Sequence, residues 1–447
     1  MPDSAKAPLP VVPADGPKID YELILDCVHC GLCTAACPTY VETGNEADSP
    51  RGRIYLMRQV IDGALELDKD VKQHLDLCLN CRACETACPS GVQYGRLIEP
   101  FREYMAHLEP GRQTQTLNAV QRFLLFKVFP YRWANRLSLA PARLMQWTGL
   151  DWLLRKTGAD RLIPSRLRAM KDMLPDLKPH YGQLPEILEP VGKPRARVAL
   201  FLGCVADALF PETNLNTARV LQANGCEVWI PRSQGCCGAL HYHAAEEDPA
   251  RAFAAANVAA FGADDAARFD KLDAVINNAA GCGAQLKDYA HMMHDTPHAA
   301  AAARFQSKVR DVHEFLMELG PIKPTHPLNI RATYHDACHL RHAQQVFKQP
   351  RQLLEMIPGL ELIPLPESEL CCGAAGSYNL TQPEMSSRLS RRKLDNIRKT
   401  GARVLVTSNA GCALQIAREA RMQGETLKIL HPMDVLDLSY RKAKLEF

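Results

Sequence analysis

The chain has 447 residues, 47% hydrophobic and 23% charged, which is the composition of a globular protein with more than one domain. Its net charge of +3 is nearly balanced and indicates no nucleic-acid partner. No apolar run approaches the roughly 20 residues that a membrane-spanning helix needs, so we expect a soluble or peripheral protein. The seventeen cysteines recur in clustered, repeated spacings behind an N-terminus without a signal-peptide pattern, which favours metal ligands over disulfides.

The first 110 residues combine a tail with a repeated cysteine motif. Proline-rich residues 1–20 predict a flexible tail, and residues 21–110 carry two copies of C-x-x-C-x-x-C-x-x-x-C-P. We call these copies the first ladder and the second ladder; their cysteines are Cys27, Cys30, Cys33 and Cys37 in the first, and Cys78, Cys81, Cys84 and Cys88 in the second. This run holds [4Fe-4S] clusters in bacterial-type ferredoxins, and in two-cluster proteins its fourth cysteine binds the other cluster. Between the ladders, Ile54, Met57 and Ile61 are spaced like one face of a helix, so we expect a helical two-cluster ferredoxin module.

Residues 111–195 are basic and rich in leucine and aromatic side chains, including Trp133, Trp147 and Trp152. The pattern predicts amphipathic helices that connect the first module to the rest of the chain, followed by a proline-spaced linker over 175–194. Two interpretations of the connector stay open. Its apolar face packs against a neighbouring domain or subunit, or it contacts a membrane surface.

The remaining residues form an internal repeat, with units over 196–325 and 326–447. Cys204 recurs as Cys338 after 134 residues, and the pair at 236–237 recurs as the pair at 371–372 after 135. Each unit alternates short apolar strands with helical patterns such as Ala252–Phe261 and Met385–Ile397, which predicts mostly parallel sheets. The fold class is therefore α+β and multidomain: an all-α ferredoxin module followed by two duplicated α/β domains, each with a Cys-Cys-Gly motif.

Each repeat offers four thiols, and each thiol position follows a predicted strand, so the thiols should gather at the carboxyl edge of the sheet. The first thiol set comprises Cys204, Cys236, Cys237 and Cys282, and the second thiol set comprises Cys338, Cys371, Cys372 and Cys412. Four convergent thiolates suit a further iron–sulfur cluster or a tetrahedral zinc ion. Cys226 has no counterpart and is interpreted as a small buried residue.

Histidines and glycines lie near these thiols. His241, His243, His335 and His339 are interpreted as hydrogen-bond partners in preference to ligands, with His335-Asp336 considered as a proton shuttle. The glycines beside the Cys-Cys pairs, such as Gly238 and Gly373, are expected to let the backbone approach a compact cofactor.

The chain resembles the iron–sulfur subunits of bacterial glycolate oxidase. The resemblance runs from about Leu25 to the C-terminus. It is carried by both ladders, by Pro50-Arg-Gly-Arg-Ile-Tyr-Leu, by Gly235-Cys-Cys-Gly-Ala and by Leu370-Cys-Cys-Gly-Ala-Ala-Gly-Ser-Tyr. The ladders alone occur in many electron-transfer proteins, but their combination with two Cys-Cys-Gly domains is restricted to a few oxidoreductase families.

The resemblance implies two [4Fe-4S] clusters in an electron-transfer subunit. One cluster would be held by Cys27, Cys30, Cys33 and Cys88, and the other by Cys78, Cys81, Cys84 and Cys37. The resemblance also implies FAD-containing partner subunits that oxidise glycolate to glyoxylate, a quinone or other membrane acceptor, and a place on the cytoplasmic face of the inner membrane. The chain departs from heterodisulfide reductase units, because no C-x-x-C ends either repeat and a fifth thiol is missing from each set.

Other functions stay open at this point. The chain could serve a D-lactate or an anaerobic glycerol-3-phosphate dehydrogenase, since the 2-hydroxy acid pocket would lie on another subunit. It could also be a self-contained, heterodisulfide-reductase-like catalytic subunit with a thiol set as its active centre, or a scaffold with structural zinc. The sequence contains no G-x-G-x-x-G and no evident flavin-binding loop, which favours electron transfer for a partner.

Overall fold

The structure, a computed structural model, describes residues 16–109, 117–159, 171, 174–175, 177 and 184–445. Most of the predicted tail and part of the predicted proline-spaced linker lie outside these residues.

The regular structure between residues 16 and 109 is helical. It comprises helices α1 (Tyr21–Leu25), α2 (Pro38–Thr43), α3 (Pro50–Ile61), α4 (Lys69–Asp76), α5 (Ala83–Thr86) and α6 (Gly95–Leu108), with a 3-10 turn at Glu46–Asp48. Side chains of Asp20 and Ser49 accept backbone N–H groups in the first turns of α1 and α3, which satisfies donors that a helix leaves unpaired. Ile54, Met57 and Ile61 are all buried in the core of this module, so the predicted helix face is confirmed.

The connector is also helical where it is described. Helix α7 (Ala119–Phe123) runs into a π-helical turn at Leu124–Val128, and α8 (Arg132–Trp147) and α9 (Leu150–Thr157) follow. Asn118 caps α7 by accepting from the N–H of Gln121, whose side chain accepts from Asn118 in return.

The first cysteine-rich unit is built on a five-stranded sheet. Its strands are β1 (Ile187–Leu188), β2 (Ala196–Phe201), β3 (Cys226–Trp229), β4 (Ala274–Asn277) and β5 (Val309–Asp311), in the order β1-β3-β2-β4-β5. Strands β2 to β5 pair in parallel, and only β1 is antiparallel, on the outer side of β3. Every residue of β4 is buried, as expected for a strand covered by helices on both faces.

The second unit repeats this sheet without the first strand. Its strands are β6 (Ile330–His335), β7 (Leu360–Ile363), β8 (Val404–Thr407) and β9 (Lys428–Leu430), in the order β7-β6-β8-β9 and all parallel. The order matches β3-β2-β4-β5 strand for strand. The duplication and the mostly parallel sheets predicted from the sequence are thus confirmed.

Helices cover both sheets. In the first unit they span Val205–Leu209, Pro211–Ala223, Ala239–Tyr242, Glu247–Ala260, Ala266–Phe269, Ala280–Leu286, Tyr289–Met292, Ala299–Lys308 and Val312–Leu319. In the second they span Gln349–Glu355, Tyr378–Thr381, Pro383–Thr400, Ala410–Met422 and Pro432–Tyr440, with a π-helical turn at His339–Ala343. The helices predicted at Ala252–Phe261 and Met385–Ile397 correspond to Glu247–Ala260 and Pro383–Thr400, each of which begins earlier than predicted.

The two units share one hydrophobic core. A single buried cluster contains Val198 and Leu200 of β2 together with Ala332 and Tyr334 of β6. The last helix of the second unit also packs on the first unit, because its Asp434 accepts from the side chain of Asn216 at 3.0 Å. The thiol edges of the two sheets are therefore held in a fixed relation to each other.

Candidate metal centres

The first ladder forms an irregular loop that wraps around one arginine. Nη1 of Arg51 donates to the carbonyl oxygen of His29 at 3.0 Å, and its Nε donates to Glu46 at 2.6 Å. Gly31 has a φ of +85°, and a Cβ at this position would lie 2.6 Å from Arg51 Nη1. The left-handed backbone therefore favours glycine at this position, and any side chain there would also have to displace the end of the Arg51 side chain.

The eight ladder cysteines line two neighbouring cavities. We call these the outer cavity and the inner cavity. The outer cavity is lined by Cys27, Cys30, Cys33 and Cys88, and the inner cavity by Cys37, Cys78, Cys81 and Cys84. Each ladder thus contributes three thiols to one cavity and its fourth to the other, and Cys84 also reaches the wall of the outer cavity.

The two cavities differ in their access to solvent. In the outer cavity Cys30 is exposed and the other three thiols are partly buried, whereas all four thiols of the inner cavity are buried. The pKa values of Cys81 and Cys84 lie well above the usual range. Burial is the larger cause, and repulsion from neighbouring thiols is the smaller one. A set of buried thiols can be deprotonated together only if a cation compensates their charge.

Two arginines supply positive charge beside the inner cavity. Arg53 is 1% exposed, and its Nη1 lies 3.9 Å from Cys37 Sγ; Arg102 donates to the carbonyl oxygen of Cys78 at 2.5 Å. Burial alone would raise the pKa of Cys78, but Arg53 and Arg102 outweigh it and lower that pKa. Cys78 Sγ also accepts from the backbone N–H of Asn80 at 3.3 Å. Thiolates that accept N–H groups beside buried cations are a donor set that suits an iron–sulfur cluster.

The first thiol set gathers at the carboxyl ends of β2, β3 and β4. Cys204 Sγ lies 3.4 Å from Cys236 Sγ, and the backbone N–H of Gly238 donates to Cys236 Sγ at 3.4 Å. Hydrogen bonds from Cys236 and Cys282 lower the pKa of Cys237 well below its usual range. All four thiols are therefore linked by contacts, as expected from their positions after parallel strands.

The second thiol set has the same arrangement after β6, β7 and β8. Hydrogen bonds from Cys371 and Cys412 lower the pKa of Cys372, and contact with Cys338 raises the pKa of Cys371. A ring nitrogen of His335 joins Cys372 and Cys412, with the three potential ligand atoms within 4.8 Å of one another. Four thiols held together by loops from separate strands can bind a metal ion or a cluster.

Cys226 lies apart from these sets. It is fully buried in β3 within the shared core, and burial raises the pKa of its thiol to about 12. It behaves as a small apolar residue.

The glycines after the Cys-Cys pairs serve packing. Gly238 and Gly373 have φ values of +86° and +84°, and a Cβ at either would lie 3.0 Å from the carbonyl oxygen of Ala250 or 2.7 Å from that of Ser386. Close packing is thus a sufficient reason for glycine at both positions, and the expectation that these glycines let the backbone approach a cofactor stays a prediction. Each one lets a helix of its unit pack directly on the cysteine loop.

Two of the four histidines interpreted as hydrogen-bond partners, His243 and His339, meet at the second ladder. His339 Nε2 donates to the carbonyl oxygen of Asn80 at 3.0 Å, and the rings of His243 and His339 are 5.6 Å apart. His243 also lies 3.1 Å from Glu99 of α6. Asn80 stands between the first two cysteines of its ladder, so both cysteine-rich units contact the ladder loop at one point. This meeting point joins residues far apart in the sequence and leaves no local signal.

Asp336 is engaged in an ion pair. Both its carboxylate oxygens accept from Arg351 at 2.7 Å, and one also accepts from the Ser368 hydroxyl at 2.8 Å. Burial opposes ionisation, but Arg351 holds the pKa of Asp336 below its usual range. A carboxylate held ionised by arginine is a weak proton acceptor, and the ring nitrogen Nδ1 of His335 is engaged by Ser368 instead of Asp336. The shuttle considered for His335-Asp336 stays a prediction without a direct contact between its two members.

Arg53 and Arg102 were not identified from the sequence. The available signal was Arg53 beside Ile54 and Met57 on the apolar face of α3, where a charged residue is unusual.

Three family models match the chain in order. The "4Fe-4S dicluster domain" matches residues 24–92, and the "Glycolate oxidase iron-sulfur subunit, linker region" matches residues 116–174. The "Cysteine-rich domain" matches twice, over residues 198–287 and 332–417.

Curated relatives match along most of the chain. The "Probable glycolate oxidase iron-sulfur subunit" of Bacillus subtilis is 39% identical over 94% of each chain. The "Glycolate oxidase iron-sulfur subunit" of Escherichia coli is 34% identical over 88% of this chain and 90% of that protein. The "Lactate utilization protein A" of Geobacillus kaustophilus is 31% identical over 54% of this chain and 98% of that protein.

Replacing Arg53 tests the charge balance of the inner cavity. Arg53→Met should lower the reduction potential of one ladder centre, because removing a buried positive charge disfavours the added electron. It should also lower stability by up to about 3–5 kcal/mol, since buried Asp48 loses Arg53, 3.8 Å away, and keeps only His74, at 2.8 Å. Redox titration followed by electron paramagnetic resonance (EPR), together with anaerobic denaturation of the full chain, measures both effects.

Two variants on the same helix serve as controls. Arg53→Lys keeps the charge and should hold the potential near the wild-type value. Arg58→Met alters an arginine that pairs with Asp62 near the surface and should change neither quantity. A wild-type potential in Arg53→Met would contradict the proposed charge compensation.

Proposed function

The chain belongs to the family of glycolate oxidase iron–sulfur subunits, and on this premise we propose that it carries electrons from an FAD-containing partner subunit to an acceptor in the membrane. The partner would supply these electrons by oxidising glycolate to glyoxylate. As an iron–sulfur subunit of an oxidoreductase complex, this chain is the electron-transfer subunit and not the catalytic one.

The arrangement of the thiols is the observation that carries the proposal. The outer cavity opens to solvent at Cys30, and the inner cavity lies behind it. Cys81 of the inner cavity packs in one buried cluster with Cys371, and Cys338 packs against that cluster. The thiols thus run from the surface through two adjoining cavities to the second thiol set, an order suited to stepwise electron transfer.

We assign cluster binding to the two ladder cavities. Cys27, Cys30, Cys33 and Cys88 would hold the outer [4Fe-4S] cluster, and Cys37, Cys78, Cys81 and Cys84 the inner one. When bound, such clusters accept and release single electrons. The chain's part is to fix the thiolates, to stabilise their charge through Arg53 and Arg102, and to keep water away from the inner cavity.

The outer cavity also offers a docking face for the flavoprotein. Val28 and Leu32 on the first ladder are 67% and 61% exposed, and Tyr55 of α3 is 52% exposed. Apolar side chains around a redox centre suit a partner surface that must bring its flavin close. The sequence contains no evident flavin-binding loop, so FAD is assigned to the partner.

Reconstitution tests the function directly. The chain, purified with its partner subunits, should pass electrons from glycolate to a quinone analogue, and D-lactate and glycerol-3-phosphate in the same assay identify the alternatives. Cys33→Ser should remove one ladder cluster and most of this activity, because a serine oxygen is a poor ligand for iron in a thiolate site. Rapid-mixing absorbance measurements and the iron content record both effects.

Cys226→Ser serves as the control and should leave iron content and rate near the wild-type values. Glycolate oxidation by the isolated chain with its own bound FAD would contradict the proposal. So would a wild-type rate in the complex that carries Cys33→Ser.

We also infer that the connector attaches the chain to the membrane surface. Trp133 and Trp147 of α8 and Trp152 of α9 are 71%, 84% and 62% exposed. Along α8, Leu137 and Leu144 are exposed as well. Exposed tryptophan and leucine side chains along one helix suit the boundary between lipid headgroups and acyl chains.

The arginines of α8 point the other way. Arg132 donates to the carbonyl oxygens of Arg232 and Gln234, and Arg136 pairs with Asp207 at 3.0 Å. A helix that turns its arginines toward the protein and its tryptophans toward solvent is inverted relative to an ordinary surface helix. None of the helices in the described part of the chain is long and apolar enough to cross a membrane. The contact that we propose, from the outward tryptophans, is with the surface of the bilayer on its cytoplasmic face.

Two substitutions on this face test the contact. Trp147→Asp with Trp152→Asp should weaken binding of the complex to anionic lipid vesicles at least about tenfold, since burying a large apolar side chain contributes on the order of 1.5–3 kcal/mol. Vesicle co-sedimentation measures the change. Met422→Asp alters an exposed apolar residue of the second unit and should have no effect. If the tryptophan variant released the partner subunit and kept its vesicle binding, the face would be a subunit interface.

A cavity beneath α8 could receive the membrane acceptor. It measures about 420 Å³, within the range of small-molecule sites, and its walls include Tyr131, Trp133 and Phe253. Gly235 of the same wall directly precedes Cys236 of the first thiol set. The walls also include Arg132, Arg136 and Asp207. A cavity with aromatic and charged walls, between the proposed membrane face and a thiol set, suits the ring and the carbonyl oxygens of a quinone.

Filling the cavity tests this assignment. Ala256 lies at its exposed rim on the helix Glu247–Ala260, and Ala256→Trp should slow quinone reduction several-fold while reduction of a small soluble acceptor is unchanged. Ala259→Trp, on the same helix and outside the cavity wall, should leave both rates unchanged. Equal rates with quinone in Ala256→Trp and wild type would exclude the cavity as the acceptor site. Steady-state assays with the reconstituted complex measure these rates.

A further inference from the structure

His335 is a buried histidine with one nitrogen left without a strong hydrogen-bond partner. It is the last residue of β6 and is fully buried. Its Nδ1 lies 3.0 Å from the carbonyl oxygen of Ser368, while its buried Nε2 faces the Cys372 thiol and has no other polar partner within the described residues. Because a carbonyl oxygen can only accept, the proton of a neutral imidazole lies on Nδ1 and the lone pair on Nε2.

The Nε2 atom of His335 belongs to the second thiol set. One ring nitrogen of His335 and the Sγ atoms of Cys372 and Cys412 all lie within 4.8 Å of one another. Since Ser368 engages Nδ1, Nε2 is the atom available to a metal. Further hydrogen bonds hold Ser368, and with it the histidine, in place. The Ser368 hydroxyl donates to Asp336, and Asp336 in turn accepts two hydrogen bonds from Arg351. Ligating histidines are commonly oriented in this way by a carbonyl group on the other ring nitrogen.

The first repeat provides an internal comparison. Phe201 ends β2 at the position that His335 occupies in β6, and it packs against Phe261 with ring centroids 6.2 Å apart. Both repeats keep four thiols and the same strand order, so the fold accepts an apolar ring at this position. In the second repeat the only described partner of Nε2 is a thiol, which is a weak hydrogen-bond donor, so a metal ion would satisfy this buried nitrogen better.

We propose that His335 binds, through Nε2, an iron–sulfur centre held by the second thiol set. The first thiol set would then offer sulfur ligands alone, while the second offers sulfur and nitrogen. The inference rests on the proposed function in one respect, namely that the second thiol set binds iron. The histidine would fill a ligand position for which the repeat lacks a fifth thiol.

A histidine ligand would make the second set a better electron acceptor. Neutral imidazole leaves less negative charge on the iron than a thiolate does, and exchange of thiolate for histidine raises the reduction potential of [2Fe–2S] centres. The set also packs beside Cys81 of the inner cavity. Electrons would therefore be drawn from the ladders toward the second unit.

The test is a nitrogen spectrum of the full chain. The protein is labelled with 15N-histidine, purified anaerobically, reduced and examined by pulsed EPR. Wild type should show one strongly coupled histidine nitrogen, which His335→Phe should lose. His339→Phe removes the neighbouring histidine that binds Asn80 and should keep the coupling. In a redox titration His335→Cys should keep the iron and shift one midpoint potential to a lower value, because the ligand becomes anionic.

The outcomes separate the inference from the proposed function. Iron in the second set with no coupled nitrogen, or with a coupling that survives in His335→Phe, overturns the histidine ligand and leaves electron transfer intact. Zinc in that set, or iron confined to the ladders, overturns both the ligand and the extension of the path, while the Cys33→Ser assay still tests the ladders. If His335→Phe fails to fold, wild type and His335→Cys decide alone, since a correct proposal requires the coupling to vanish in His335→Cys with iron retained.

Discussion

Buried thiols close to one another are the constraint on which the structure depends. Deprotonated together they place several negative charges in a medium of low polarity, which is unfavourable unless cations or metals compensate them. In the inner cavity the chain brings Arg53 and Arg102 to the thiols and donates the N–H of Asn80 to Cys78. The helices α3 and α6 serve this purpose, because each carries one of these arginines on its buried side.

Duplication gave the two cysteine-rich units the same frame and different details. Parallel strands bring three loops to one edge of each sheet, so four thiols meet although they are distant from one another along the chain. The same buried position holds Phe201 in one unit and His335 in the other. A chemical difference between the sets therefore arises from a single residue type at a shared site.

The relative placement of the modules determines the order in which the ladder cavities and the second thiol set follow one another. Asn80, within the second ladder, contacts His243 of the first unit and His339 of the second. Tyr378 of the second unit donates to the carbonyl oxygen of Leu77 just before the ladder. These contacts bring the inner cavity against the second thiol set, while the connector presents its tryptophans on the outside of the first unit. The proposed docking face thus lies where the succession of thiols begins, and the proposed membrane face lies on the connector.

The sequence by itself determined the kind of chemistry and the frame. Ladder spacing, the repeated Cys-Cys-Gly motif and the alternation of strands and helices are local patterns, and each predicts its outcome without knowledge of distant residues. Other features depend on contacts between residues far apart in the chain: the burial of Arg53, the meeting at Asn80, the position of His335 Nε2 at the second thiol set and the outward face of α8. Only the tertiary structure decided these, because burial and hydrogen-bond partners of polar side chains are set by packing between modules. Local spacing predicts the apolar face of a helix, as in α3, but not which polar side chains a neighbouring module will cover.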